Sequence, residues 1–159
     1  MPFQKLYRRL PDTPILRYFL SGIMNALETS HYWKAGHMPG MIDLDPTTSF
    51  MSQLREETGP IVLVNTFFVP REKTEEFLAC WREDAAFMKS CPGFISAQLH
   101  RGTAGSQLAV NIATWESTEA LARAHSNPEF RARSSKHPDG VVVYPHVYQK
   151  IAVEGICGA

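Results

Sequence analysis

The sequence predicts an α+β domain of the split βαβ, ferredoxin-like arrangement, in which an antiparallel sheet carries helices on one of its faces. Three observations predict it. Four segments rich in β-branched and aromatic residues begin near Ile61, Phe94, Gln107 and Val141. Amphipathic stretches separate the first from the second and the third from the fourth, and a short glycine-containing loop joins the middle two as a hairpin. The order strand, helix, strand, strand, helix, strand occupies residues 59–154, and a chain of 159 residues has room for one such core.

Residues 1–58 differ in texture from the rest and read as an extension. Ile15, Phe19, Ile23 and Leu27 recur at four-residue steps, with Leu16, Leu20 and Met24 alongside, the pattern of an amphipathic helix. His31, Tyr32, Trp33 and His37 break that period, and Asp45-Pro46-Thr47-Thr48-Ser49 reads as a turn leading to a tether. Such an extension is expected to serve as a dimer arm or as a lid over a pocket.

From Ile61 to Val69 the chain is β-branched and aromatic, and Pro70 closes this strand. Phe77, Leu78, Trp81, Ala85 and Met88 then fall at helical spacing. Glu72, Glu75 and Glu76 suit the amino end of that helix and Lys89 its carboxyl end. Cys91-Pro92-Gly93 stops it. Phe94 to Arg101 is the second strand, residues 102–106 are a loop, and Gln107 to Trp115 is the third strand. Ser117 is placed to cap a short helix from Thr118 to His125, and Pro128 suits the first position of another running to about Lys136. Pro138-Asp139-Gly140 turns into a last strand, Val141 to Val153, followed by a tail at 155–159.

The first strand is apolar on both faces, although the two main helices can cover only one, so a second copy of the chain is the economical cover for the other. Simple alternation sorts the strand residues into two sets. Val62, Val64, Ile95, Leu99, Leu108, Val110, Ile112, Val147 and Ile151 make an aliphatic face, with Thr66 and Thr114 as mild exceptions. Asn65, Phe67, Ser96, Gln98, His100, Asn111, Trp115, Tyr144, His146 and Tyr148 mix aromatic surface with hydrogen-bonding groups, as the wall of a small-molecule pocket does. For any one of the polar residues a bland role, in solvent or against a neighbouring backbone group, is about as good. A large ring at Trp115 is more often core than ligand contact, yet its indole N–H still needs a partner. His125 and His137 lie at helix ends, where a cation is favoured, and read as structural or exposed.

Sixteen basic and sixteen acidic side chains cancel without long blocks of one sign, which disfavours nucleic acid and anionic membranes as partners. Lys5, Arg8 and Arg9 before the apolar stretch 15–24 superficially resemble a secretion signal, but Pro11, Pro14 and Arg17 interrupt it and no small-x-small site follows. Three cysteines, Cys80, Cys91 and Cys157, cannot all pair within the chain, so a reducing cytoplasm is the expected compartment. No GxGxxG, no Walker loop and no clustered metal-ligand spacing occurs.

Several short runs taken together have a family likeness. They are the opening strand with Asn65, Trp81-Arg82-Glu83-Asp84-Ala85, Pro92-Gly93-Phe94 and Gln98-Leu99-His100-Arg101-Gly102. Trp115-Glu116-Ser117-Thr118-Glu119-Ala120, Asn127-Pro128-Glu129-Phe130 and Pro145-His146 complete the set. Residues 59–157 thus resemble the antibiotic biosynthesis monooxygenase family of dimeric α+β barrel proteins. The resemblance implies a homodimer joined sheet to sheet, with a pocket between sheet and helices in each subunit. Relatives include oxygenases that use neither metal nor flavin, haem-degrading enzymes and isomerases, so fold alone does not select a reaction. The haem-degrading branch carries a histidine ligand where this chain has about Ser134, which cannot replace an imidazole, and haem is not expected.

The leading expectation is a cofactor-independent monooxygenase of secondary metabolism, acting with molecular oxygen on an electron-rich phenol, anthrone or enol, such as an aromatic polyketide. A base would form the enolate, and an imidazole, His146 or His100, titrates close enough to neutrality for that task. Asn65 and Trp115 would stabilise the developing oxyanion. Phe67, Trp81, Phe87, Gln98, Asn111 and Tyr144 would line the substrate slot. The same equipment serves a cyclase, isomerase or decarboxylase that consumes no oxygen, and a binding protein would return its ligand unchanged.

Overall fold

The computed structural model describes residues 40–158, so the helix expected over residues 15–27 and the cluster over residues 31–37 lie outside the described residues. Strands β1 (Ile61–Phe68), β2 (Phe94–Arg101), β3 (Leu108–Trp115) and β4 (Val142–Tyr148) form an antiparallel sheet in the order β2-β3-β1-β4. Helices α2 (Thr74–Ser90), α3 (Thr118–Ser126) and α4 (Pro128–Ser134) follow β1 and β3, as the split βαβ order requires, and a short α1 (Phe50–Gln53) precedes the sheet. Gly93 at φ +85° turns the chain out of α2, and a Cβ there would come within 2.4 Å of the Ala120 Cβ on α3. Ser117 caps α3 by accepting from the Ala120 N–H at 3.1 Å, and Asn127 caps α4 by accepting from Glu129 at 2.9 Å with Pro128 in the first turn.

The segment read as a tether is part of the core. Phe50 and Leu54 are buried with Ile61, Leu63, Ala113, Trp115 and Leu121, while Phe67, Val69, Phe77 and Val141 form a second cluster. The same segment closes the outer edge of β4. Ile42 donates to the Val143 carbonyl at 2.9 Å, Val143 donates to Gly40 at 3.0 Å, and the Gln53 amide both accepts from Val147 N–H (3.0 Å) and donates to Val147 O (2.9 Å). Between them Pro145 has no N–H to leave unpaired. Buried Thr118 on α3 ties down the end of the segment, its hydroxyl meeting the Glu56 carbonyl and accepting from the Thr58 N–H.

Two expectations need correction. The last strand stops at Tyr148 rather than Val153, because Val62 pairs with Tyr148 and β1 offers nothing beyond Ile61 to extend the ladder; the tail instead bridges Val153 to Cys157. The alternation is also broken in both outer strands. Between Phe94 and Ser96 the β2–β3 register shifts, with Phe94 opposite Trp115 and Ser96 opposite Thr114. The extra residue turns Ser96, Gln98 and His100 to the open face and Ala97 and Leu99 toward the helices. In β4, Pro145 stands opposite Asn65, so Tyr144, His146 and Tyr148 share the open face with Val64 and Val62, and Val147 faces inward with Leu63. Among the described residues no helix is long and apolar enough to cross a membrane.

Candidate functional site

The helix-facing side of the sheet is built in rows. Phe94, Trp115 and Ile61 make one; Ala97, Ala113, Leu63 and Val147 the next; Leu99, Asn111, Asn65 and Pro145 the third; Ala109, Phe67 and Val143 a fourth. The two alanines leave the floor low between a tryptophan and a pair of asparagines. Above that floor α2 presents Trp81, Asp84, Ala85 and Met88 at helical i, i+3, i+4, i+7 spacing, with Leu121 and His125 from α3 and Phe130 from α4. His137, Val141 and Met41 complete the wall. The cavity, partly open to solvent, has a volume of about 130 Å³. It exists because small side chains on floor and roof, Ala97, Ala113 and Ala85, oppose one another where larger ones would meet.

The wall is apolar except for a few polar atoms, several of which lack partners. Asn111, in the floor, is 7% exposed and its Oδ1 has no hydrogen-bond partner among the described residues; neither has Nε1 of Trp115, which is 1% exposed. Phe94 holds the indole edge-on, ring centroids 5.3 Å apart. An unpaired buried polar atom costs on the order of 1–3 kcal/mol, so the floor is arranged to be completed by something that accepts from the indole and donates to the amide. Asn65 stands directly opposite Asn111 in the ladder and is half-buried.

Two histidines read as structural or exposed belong to this wall. His125 packs between Phe50 and Phe130, both at 5.3 Å, and burial in that aromatic setting, with a smaller effect of Arg131, lowers its pKa from the ordinary 6.5. His137 bonds Asp84 of α2 through Nε2 at 2.7 Å, the two side chains being 7% and 14% exposed, and its Nδ1 is buried without a partner. The sequence signal for this pair is Asp84, an acid inside the apolar stripe Phe77, Trp81, Ala85, Met88; its partner 53 residues away carries no local signal. The iron-ligating imidazole of the haem-degrading branch has no counterpart at Ser134, whose hydroxyl does not replace it.

Of the site residues expected from sequence, the structure brings together Asn65, Phe67, Trp81, Asn111 and Trp115 around the cavity. Phe87 is outside the cavity lining; it stacks on Phe130 at 6.1 Å, and the Arg133 guanidinium lies over its ring at 5.9 Å. Gln98, His100, Tyr144 and His146 are on the opposite face, outside the cavity. There His146 meets the Gln53 amide at 3.2 Å and the Tyr148 ring at 4.9 Å, and His100 is exposed.

The family model described as antibiotic biosynthesis monooxygenase matches residues 60–134. A crystal structure from Shewanella loihica PV-4, provisionally described as a monooxygenase, is 30% identical, covering 62% of this chain and 99% of that one with a TM-score of 0.51. SnoaB, described as a cofactor-independent oxygenase of Streptomyces nogalater, is 24% identical over 62% of this chain and 99% of its own, with a TM-score of 0.56. A Caulobacter crescentus CB15 protein shares the fold at 22% identity, 59% and 92% coverage and a TM-score of 0.51. No curated protein matches the chain.

Proposed function

The chain belongs to the antibiotic biosynthesis monooxygenase family, and from that premise we propose that it is a cofactor-independent monooxygenase oxidising an electron-rich phenol, anthrone or enol of secondary metabolism. The observation that carries this reading is the aromatic cavity floored by the unpartnered Asn111 Oδ1 and Trp115 Nε1, with Asn65 opposite. Deprotonation gives a substrate enolate whose oxygen takes hydrogen bonds from the Trp115 indole N–H and the Asn65 amide N–H, while Asn111 Oδ1 accepts from a substrate hydroxyl, in a site where walls such as Leu63, Phe67 and Met88 exclude water. The enolate carbon passes one electron to dioxygen, the radical and superoxide recombine, and the peroxide anion is protonated. For a methylene carbon, loss of the remaining C–H proton with O–O cleavage then gives a ketone and water, so one O2 is consumed for each CH2 converted to C=O. SnoaB, described as cofactor-independent, supports a reaction in which the substrate supplies the electrons.

The same proposal gives the open sheet face a second copy of the chain. Among the described residues nothing packs over the surface made by Val62, Val64, Thr66, Val110 and Ile112, Ile112 being 42% and Leu108 46% exposed. The three thiols are free and suit a reducing cytoplasm. The test of the reaction is dissolved-oxygen consumption by metal-stripped protein with a panel of anthrones and naphthols. Uptake of one O2 per oxidised product is the expected result. Substrate loss without uptake replaces the oxygenase by a cyclase or isomerase, and an unchanged ligand replaces it by a binding protein. Filling the floor with Ala113→Leu is expected to remove turnover through loss of the cavity, read as loss of ligand binding by tryptophan fluorescence.

A further inference from the structure

We propose that His137, oriented by Asp84, is the general base of this site. The inference rests on the oxygenase reading for its substrate class and on the geometry of the pair for its chemistry. An ionised carboxylate has only acceptors to offer, so the 2.7 Å contact between Asp84 Oδ2 and His137 Nε2 assigns the ring proton to Nε2. In the neutral imidazole the lone pair then lies on Nδ1, and Nδ1 is the atom left buried and unpartnered in a residue that lines the cavity. A histidine held at one nitrogen by a largely buried carboxylate, with the other unbonded among the described residues, has the arrangement of a base with its orienting acid.

The surroundings favour that role over a bland one. A purely structural tie between α2 and the loop after α4 is satisfied by the Nε2 contact alone and gives no reason to bury a second, unpaired nitrogen. The ring is further positioned by Phe77, 5.9 Å away. His125, the other imidazole in the wall, lies between two phenyl rings with no acid partner and is a weaker base through burial. Cys80 on α2 and Arg133 on α4 also interact electrostatically with Asp84.

In the step itself, Nδ1 takes the proton from the acidic C–H or O–H of the substrate. The bonding pair stays on the substrate as the enolate, and the imidazolium keeps its Nε2–H on the Asp84 carboxylate. The same proton returns from Nδ1 to the peroxide anion once oxygen has added, which leaves the base as it began. His137 is thus the catalytic residue, and Asp84 a positioning residue.

Anaerobic hydrogen–deuterium exchange tests this with no contribution from oxygen chemistry. Anthrone is incubated with the full chain in heavy water, loss of the methylene proton signal is followed by NMR above the buffer rate, and binding is read separately by fluorescence. His137→Gln keeps a polar group toward Asp84 but has no basic nitrogen, and is expected to lower the exchange rate by about 10²–10⁴-fold with binding nearly unchanged. His137→Ala is expected to recover exchange when free imidazole is added, which a structural role does not produce. Asp84→Asn is expected to reduce kcat with little change in KM. Wild-type exchange retained in His137→Gln overturns the assignment, as does a wild-type protein that binds anthrone and accelerates no exchange. Exchange by wild type with no oxygen uptake on admitting air overturns the oxygenase reading and leaves the base in place.

Discussion

The two faces of the sheet are made from alternate residues of the same strands, yet each carries a few residues that exposure alone would not select. The face buried under the helices holds Asn65 and Asn111 beside Trp115, and the uncovered face holds Val62, Val64, Val110 and Ile112. Buried polar atoms without partners and exposed aliphatic side chains both cost free energy in an isolated chain, and each points to something that removes the cost. We propose that for the inner face it is a ligand with its own hydrogen-bonding groups, and for the outer face the sheet of a second copy. On that proposal one pleated layer carries binding on one side and self-association on the other.

The comparison breaks most completely at the outer face. Ile112→Asp places a carboxylate in the centre of the aliphatic surface, where pairing with a second copy would bury it unpaired. The expected outcome is complete loss of the dimer in light scattering at concentrations where the parent chain is dimeric, with circular dichroism unchanged. A monomeric parent chain would sink the proposed dimer.

The inner face is next in size. Asn111→Ala removes the unpartnered acceptor Oδ1 from the floor and is expected to lower turnover, read as kcat/KM, by about 10–100-fold. Val110→Ala, the adjacent residue pointing the other way, is expected to leave kcat/KM nearly unchanged. Equal losses in the two variants would mean that Asn111 acts through the sheet and not through the site.

That adjacent residues differ so sharply explains what could be read beforehand. Element order, caps at Ser117 and Asn127, and the central pair β1 and β3 were legible, because β-branched runs, turn residues and cap residues act locally. Asn65, Phe67, Asn111 and Trp115 were placed on the helix side because β1 and β3 pair without interruption from Ile61↔Trp115 to Phe68↔Leu108. The outer strands were not legible to the same degree. A single extra residue at Ile95 moves His100 and Gln98 across the sheet, and nothing in Phe94-Ile95-Ser96 marks a bulge. In β4 the parity follows from where Pro145 fits, next to an edge that Gly40, Ile42 and Gln53 close from far away in sequence. The Asp84–His137 pair was out of reach for the same reason: each residue has an ordinary local explanation and only the fold brings them within 2.7 Å.

Closure of the β4 edge gives a smaller, purely structural prediction. Gln53 supplies both a donor and an acceptor to Val147 and thereby substitutes for a neighbouring strand. Gln53→Ala leaves both backbone groups to water or to another chain and is expected to destabilise the fold by about 1–3 kcal/mol in urea unfolding. Unchanged stability would show that water replaces the amide without loss and that the edge is not protected by Gln53.

The smallest effect belongs to His125 and separates burial from chemistry within the cavity wall. Its pKa is lowered from 6.5, first by burial and second by Arg131, so the unfolded chain takes up the proton before the folded one as the solution is acidified. Above about pH 6.5 the residue is neutral in both states and contributes no pH dependence. Stability falls as pH drops below that value, and the fall ends once the folded-state pKa is passed. His125→Phe, which keeps an aromatic ring between Phe50 and Phe130, is expected to flatten this part of the curve of melting temperature against pH between about 7 and 5. An identical slope in the variant would assign the acid sensitivity to other groups, whereas a flattened slope with turnover retained would mark His125 as a wall residue, in contrast to His137 across the same cavity.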